Sequence, residues 1–151
     1  MATKTLLLNY SFTGDLARVY DSILNFKKFG EFHPYMVNVH ELKKTATNSI
    51  EYQVNEEVLL LGFLRMRPEY NVEVLEIEKD KHVRYASNVK GGIVLVIDFN
   101  FVYDKNTNQV ELAEHIIVKG NRWLIAYFIT LVKKAHLQLF GNLAESLLAK
   151  T

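Results

Sequence analysis

Residues 121–150, NRWLIAYFITLVKKAHLQLFGNLAESLLAK, decide the fold, because no strand signal occurs in this stretch. Asn121 is a favourable residue for capping the start of a helix. The apolar side chains that follow recur at helical spacing and form one broad stripe. The members of this stripe are Ile125, Phe128, Ile129, Val132, Leu139, Phe140, Leu143 and Leu147. The stripe predicts one long C-terminal helix. Because His136 falls near the centre of the stripe, this helix is expected to present a histidine to the interior.

The chain before this helix carries the patterns of strands and two short helices. Residues 5–12 alternate apolar side chains with others and predict a first strand. Thr13 is expected to cap a short helix, and the phenylalanines of residues 26–32 predict a second helical turn that packs on it. Residues 36–119 predict about six antiparallel strands. Turn signals place the hairpin connections at residues 47–48, 79–81, 91–92 and 104–106, with a further break near residues 61–62.

The composition excludes several functional classes. The chain has 151 residues, of which 49% are hydrophobic and 23% charged, as in globular domains. No linker divides it, so residues 1–151 are expected to form one domain. The absence of cysteine excludes disulfides, thiolate zinc sites, iron–sulfur clusters and a cysteine nucleophile. A net charge of +1 argues against nucleic-acid binding through a basic face.

Targeting and cofactor motifs are not readable in the chain. The longest apolar run, residues 123–129, is too short to span a bilayer, and no signal-peptide pattern occurs. We therefore expect a cytoplasmic protein without stable membrane insertion. The histidines show no metal-ligand spacing, and no phosphate loop or nucleophile motif occurs. No metal and no cofactor are expected.

The order of elements indicates an α+β fold, because helices are segregated from an antiparallel run of strands. Residues 11–42, SFTGDLARVYDSILNFKKFGEFHPYMVNVHEL, resemble the start of the START/Bet v1-like (SRPBCC) superfamily. There, a first strand leads through a short helix and an aromatic-rich second helix to a His-Pro-like turn. The resemblance extends over the whole chain in element order, and polyketide cyclase/dehydrase-like and coenzyme-Q-binding-like members are nearest. It implies a helix-grip fold, in which a curved antiparallel sheet of about seven strands wraps round the final helix.

In such a fold, strand parity predicts which side chains line the space between sheet and helix. Residues 49–60 and 64–74 each alternate as one strand under this pattern. The side chains predicted to contact a ligand are Tyr52, Glu56, Met66, Tyr70, Tyr85, Ile97, Phe99, Leu112, Glu114, Phe128, Val132 and His136. Apolar walls with a few convergent polar groups are typical of small-molecule pockets. Inward carboxylates fit a pocket better than a packed core, because an unpartnered buried carboxylate is costly.

Simpler interpretations stand beside these expectations. Glu56 could lie at a strand end or bulge that turns it to solvent. Glu114 could form an ion pair with a neighbouring strand or be exposed near the sheet edge. His136 could bond to nearby backbone or a tyrosine. Trp123 and Tyr127 most simply pack under the first short helices; a dimer contact or a mobile pocket mouth is the alternative.

Three functions follow from these patterns. The first is binding of a small hydrophobic molecule, such as a lipid, isoprenoid, quinone or aromatic polyketide, with Glu114, His136 or a tyrosine orienting its polar end. The second is a cyclase/dehydrase-type enzyme in which Glu114 and His136 form the acid–base pair. The third is a protein-interaction adaptor or homodimer that uses the surface of Trp123 and Tyr127. A binding protein is preferred to an enzyme.

Overall fold

A seven-stranded antiparallel sheet dominates the computed structural model, which describes residues 1–89 and 91–149. The elements, in chain order, are β1 (Ala2–Thr13), α1 (Leu16–Leu24), α2 (Phe26–Phe32), β2 (Met36–Ala46), β3 (Ser49–Glu56), β4 (Val58–Leu60), β5 (Leu64–Met66), β6 (Glu69–Glu78), β7 (His82–Val89), β8 (Ile93–Asp104), β9 (Gln109–Gly120) and α3 (Arg122–Ala149). The main sheet has the order β1-β9-β8-β7-β6-β3-β2, and β4 pairs with β5 as a separate hairpin. The predicted α+β architecture, with two short helices after the first strand and a long final helix, is confirmed.

The helix ends follow local capping chemistry. Thr13 does not cap α1, because β1 continues through it and Gly14 makes the turn at a φ of 109°. Asp15 is the cap instead, and its side chain accepts a hydrogen bond from the Arg18 backbone N–H at 3.3 Å. Asn121 caps α3 as predicted, since its side chain accepts from the Trp123 N–H at 3.0 Å. The predicted end of this helix at residue 150 lies outside the described residues.

The two segments predicted as single strands are each interrupted. Glu57 separates β3 from β4, and residues 67–68 separate β5 from β6. Pro68 has no backbone N–H and restricts the residue before it, so the ladder stops there. The predicted break near residues 61–62 is confirmed as the turn of the β4–β5 hairpin, where Leu61 and Gly62 have φ values of 53° and 80°. The hairpin thus leaves the plane of the main sheet between β3 and β6.

Helix α3 rests on one side of the sheet, mainly on β1 and β9, and on α2. The Phe140 ring lies 4.2 Å from the Tyr10 ring between centroids, and Leu139, Leu143 and Leu147 are also buried along this half of the helix. In the first turns of α3, by contrast, Trp123 is 78% exposed. The C-terminal half of α3 therefore closes the core, whereas its N-terminal half stands over a space.

Gly30 sets how closely α2 approaches the sheet. A Cβ at this position would lie 2.5 Å from Val39 Cγ2 on β2, a separation that real Cβ atoms do not adopt. Gly141, on the exposed side of α3, would meet no heavy atom within 4 Å. Both glycines are helical, so they form a matched pair in which only the packing differs.

We predict that Gly30→Ala lowers the free energy of unfolding by about 1–2 kcal/mol, because overpacking outweighs the gain in helix propensity. Gly141→Ala should raise it by about 0.5–1 kcal/mol, because there the propensity gain acts alone. Urea unfolding followed by circular dichroism measures both. Equal stabilisation by the two substitutions would contradict the close contact between α2 and β2.

Candidate functional site

A cavity of about 240 Å³ lies between the inner face of the sheet and the N-terminal half of α3. Its walls come from α2, the β4–β5 hairpin, strands β3, β6, β7 and β8, and α3, and they consist mostly of apolar side chains. Along β8 the inward residues Ile93, Leu95 and Ile97 line the cavity. Farther along the same face, Phe99 and Phe101 are buried in the packed core. One alternating pattern therefore serves both a cavity and a core.

The structure brings most of the predicted ligand contacts to this wall. Those on the wall are Glu56, Met66, Tyr70, Tyr85, Ile97, Phe128, Val132 and His136. Those elsewhere are Tyr52, Phe99, Leu112 and Glu114, which are at most 4% exposed and belong to the packed interior. Parity identifies the face of a strand but not the depth at which α2 or α3 covers it. Contact with a ligand stays a prediction for every member of the set.

Glu114 and His136 meet inside the protein, as the hypothesis of an acid–base pair requires. The carboxylate projects from β9 and is completely buried, and its Oε2 forms a hydrogen bond with Nδ1 of the His136 ring. Its Oε1 accepts from the Tyr10 hydroxyl at 3.1 Å. Burial, followed by the neighbouring Glu114 charge, raises the pKa of Tyr10, so this hydroxyl remains a donor. Glu114 therefore lies behind His136 and fixes the orientation of the ring.

His33 is a cavity residue that the sequence interpretation did not include. Its Nδ1 accepts a hydrogen bond from the Tyr35 backbone N–H at 3.1 Å, and its ring lies 5.9 Å from the His136 ring between centroids. Burial, with a smaller contribution from the charge of His136, lowers the pKa of His33 to about 3. The ring is therefore neutral at pH 7 and carries its proton on Nε2. The sequence signalled only a turn here, through the His33-Pro34 pair.

Glu56 turns into the cavity, and not to solvent, although it ends β3. The Tyr70 hydroxyl donates a hydrogen bond to Glu56 Oε2. Burial raises the pKa of Glu56, and the Tyr70 hydrogen bond and the charge of His136 only partly oppose this effect. Burial and the Glu56 charge raise the pKa of Tyr70 as well, so the phenol stays protonated. The pair forms a second polar group on the wall, close enough to His136 for their charges to interact.

The cavity opens towards an apolar rim. Leu124 and Tyr127 on α3 are each 41% exposed, and Met66 on the hairpin is 45% exposed. The prediction that Trp123 and Tyr127 pack under the short helices is wrong, because α1 and α2 contact the other end of α3. There the Asn142 side chain donates to the Phe32 carbonyl at 3.0 Å. A dimer or adaptor contact through Trp123 and Tyr127 stays a prediction.

Two further features of the described part of the chain bear on function. Among residues 1–89 and 91–149, no group of three or more His, Asp or Glu side chains is arranged to hold a metal ion. No helix in the same ranges combines the length and apolarity needed to cross a membrane.

Comparison with known proteins places this geometry in a fold group. No family model matches the sequence, and no curated protein matches it. The crystal structure of TTHA0849 from Thermus thermophilus matches with a TM-score of 0.75 at 11% identity, over 98% of this chain and 99% of that one. A START superfamily protein from Mycobacterium smegmatis matches with a TM-score of 0.71 at 9% identity, over 97% and 99% of the two chains. The Zhui aromatase/cyclase from a Streptomyces strain, R1128, matches with a TM-score of 0.65 at 6% identity, over 80% and 70%.

The fold is the START/Bet v1-like helix-grip fold. The fold expected from the resemblance of residues 11–42 is thereby confirmed. At sequence identities this low, the structural matches support the fold but not the function. The function of this chain therefore has to be argued from its own site.

The neutral state of His33 predicts a pH dependence of stability. The unfolded chain takes up a proton at this ring near pH 6.5, whereas the folded chain does so only near pH 3. Stability is therefore lost as the pH falls below 6.5. Between pH 7 and pH 5, the wild type should lose about 2 kcal/mol more of its unfolding free energy than His33→Gln.

Urea unfolding at the two pH values measures this difference. His40→Gln, at an exposed position of β2, is the matched control and should keep the wild-type pH dependence. An unchanged pH dependence in His33→Gln would show that the ring takes up its proton in the folded protein.

Proposed function

We propose that this protein binds a small, largely apolar molecule in the cavity between the sheet and α3. Lipids, isoprenoids, quinones and aromatic polyketides are the ligand classes that fit this description. The observation that carries the proposal is the cavity of about 240 Å³ with predominantly apolar walls, placed beside a packed core. Removal of apolar surface from water supplies the driving force, at about 25 cal/mol per Å². A ligand that buries about 200 Å² of such surface gains about 5 kcal/mol before the costs of association.

The rim supports the same proposal, because a hydrophobic molecule needs an apolar route from solvent to the interior. Three side chains are partly exposed and also line the cavity: Leu124, Tyr127 and Met66. Phe63, at the hairpin turn, is 78% exposed and extends the apolar surface outward. Exposed apolar groups clustered at one site are typical of binding surfaces. The likeness to an aromatase/cyclase and a START superfamily protein adds an analogy at the level of the fold.

Filling the cavity should abolish binding. Leu95 points into the space from β8, and Val96, one residue later, lies on the opposite face of the sheet. We predict that Leu95→Trp weakens binding of the neutral dye N-phenyl-1-naphthylamine at least about tenfold, because the indole occupies the volume the dye needs. Val96→Trp is the matched control and should bind like the wild type. Fluorescence titration gives the affinities.

Mass spectrometry of organic extracts from the purified protein provides an independent readout. A co-purified hydrophobic molecule should be present in the wild type and Val96→Trp, and depleted in Leu95→Trp. Dye binding that Leu95→Trp does not alter would place the dye elsewhere and contradict the proposal.

As a second candidate, we propose an acid–base enzyme of the cyclase/dehydrase type in the same cavity. The observation that favours it is the hydrogen bond of buried Glu114 to the wall residue His136. A carboxylate that holds one ring nitrogen leaves the other as a base. Glu56, whose pKa burial raises, would be the matching acid. Glu114, which does not line the cavity, would position His136.

Dehydration of an aryl β-hydroxy ketone tests this second candidate. His136 Nε2 would remove the proton next to the carbonyl, and Glu56 would protonate the departing hydroxyl as water leaves. Absorbance of the conjugated enone reports the rate, and His136→Gln should lower kcat at least about 100-fold. His40→Gln should match the wild type. A wild-type rate equal to that in buffer would remove the enzyme candidate and leave the binding proposal intact.

A further inference from the structure

We propose that the molecule bound in this cavity is electrically neutral and carries a hydroxyl group, which accepts a hydrogen bond from His33 and donates one to Glu56 or His136. The inference rests on the proposed binding function and specifies the polar end of the ligand. It follows from counting the hydrogen-bonding capacity that the protein leaves free at the cavity wall.

Most hydroxyl groups on the wall are already committed within the protein. The Tyr85 hydroxyl donates to the Ile23 carbonyl, and Ser87 Oγ donates to the Asn71 carbonyl at 2.7 Å. The Tyr70 hydroxyl donates to Glu56. Their protons are therefore not available to a ligand.

Besides the hydroxyls of Tyr35 and Tyr127, three polar groups on the wall retain capacity. His33 and His136 each use Nδ1 within the protein, so Nε2 remains on each ring. Glu56 receives Tyr70 on Oε2, so Oε1 remains. Among the described residues, no buried polar side-chain atom lacks a hydrogen-bond partner, so an atom of the wall without a protein partner has accessible surface of its own. The two rings are 5.9 Å apart between centroids, and Glu56 lies within electrostatic reach of His136.

The charges around these groups favour a neutral ligand. Within the described ranges, the cavity wall contains no lysine and no arginine. It does contain the Glu56 carboxyl group, and the Glu114 carboxylate lies directly behind His136. A carboxylate or phosphate on the ligand would lose its hydration and find no guanidinium or ammonium partner on this wall. An anionic end is therefore disfavoured.

The hydrogen-bonding pattern favours a hydroxyl over a carbonyl or an ether. His33 accepts from Tyr35 at Nδ1, so its remaining nitrogen is a donor that requires a ligand oxygen. Glu56 Oε1 and His136 Nε2 are acceptors when each group is in its unprotonated form. A hydroxyl group satisfies a donor and an acceptor at once, whereas an ether or a ketone satisfies only the donor. Leaving a buried acceptor without a partner is costly.

Four naphthalene probes test the proposal: the parent hydrocarbon, 2-naphthol, 2-methoxynaphthalene and 2-naphthoate. Isothermal titration calorimetry or ligand-observed NMR gives the affinities at pH 7. The wild type should bind 2-naphthol about three- to tenfold more tightly than 2-methoxynaphthalene, which keeps the oxygen but lacks the proton. 2-Naphthoate should bind more weakly than naphthalene itself.

Variants assign the preference to the site. His33→Phe should weaken the binding of 2-naphthol and of 2-methoxynaphthalene about three- to tenfold, because both oxygens accept from His33, with naphthalene affinity unchanged within about twofold. His40→Phe, the same substitution at an exposed position, should keep the wild-type affinities for all the probes. If His33→Phe does not fold, the wild-type ratios alone decide the question.

The outcomes separate this inference from the binding function. Naphthalene binding with equal affinity for the naphthol and its methyl ether would overturn the hydroxyl proposal and leave hydrophobic binding standing. Tightest binding of 2-naphthoate would overturn the neutral-ligand assignment. An affinity for 2-naphthol, relative to naphthalene, that His33→Phe leaves unchanged would overturn the role of His33. No saturable binding of any probe would overturn the proposed function and this inference with it.

Discussion

The buried contact between Glu114 of β9 and His136 of α3 is the constraint on which the rest of the structure depends. A carboxylate with no exposed surface is strongly destabilising unless it is paired, so the sheet and the helix must meet at this point. Phe140 follows His136 by one helical turn. Its ring packs against the ring of Tyr10, whose hydroxyl donates a hydrogen bond to Glu114. The polar contact and the aromatic contact together fix the position of α3 along the sheet.

This anchoring explains why the interior has two parts. Beyond Phe140 the helix closes against β1 and the short helices, where Phe29 contacts both the Phe99 and the Phe140 rings. Before His136 the helix extends over β7 and β8 without filling the space beneath it. His136 stands at the boundary, with one nitrogen held by the core and its ring on the cavity wall. The buried contact that stabilises the position of α3 therefore also orients a polar group on the cavity wall.

The sequence allowed the order of elements, the seven-stranded sheet and the inward faces to be predicted, because these depend on local periodicity. The meeting of Glu114 and His136 also followed, since each interrupts an apolar face that must be buried. Depth could not be predicted: Phe99 and Leu95 share a face of β8, but only the placement of α3 decides that Leu95 lines the cavity. His33 was not found because a turn residue has no periodicity, and its position depends on where α2 ends.

The exposure of Trp123 escaped prediction for a related reason. A helical stripe indicates which side of α3 is apolar, but not how far along its length the sheet provides cover. The first turns of α3 extend past the packed region, so apolar side chains remain at the surface. Phe26 and Phe29 of α2, by contrast, are buried, with stacked rings 5.3 Å apart between centroids, and lie on the inner wall of the cavity. Aromatic residues are thus buried in α2 but exposed in the first turns of α3.

The β4–β5 hairpin has a consequence for motion. Its two strands have three residues each and bond to one another, not to the main sheet. Such a short two-stranded ribbon has little cooperative stability of its own. An outward displacement of this hairpin would break no ladder of the seven-stranded sheet, so the entry of a wide ligand at the rim would not require global unfolding.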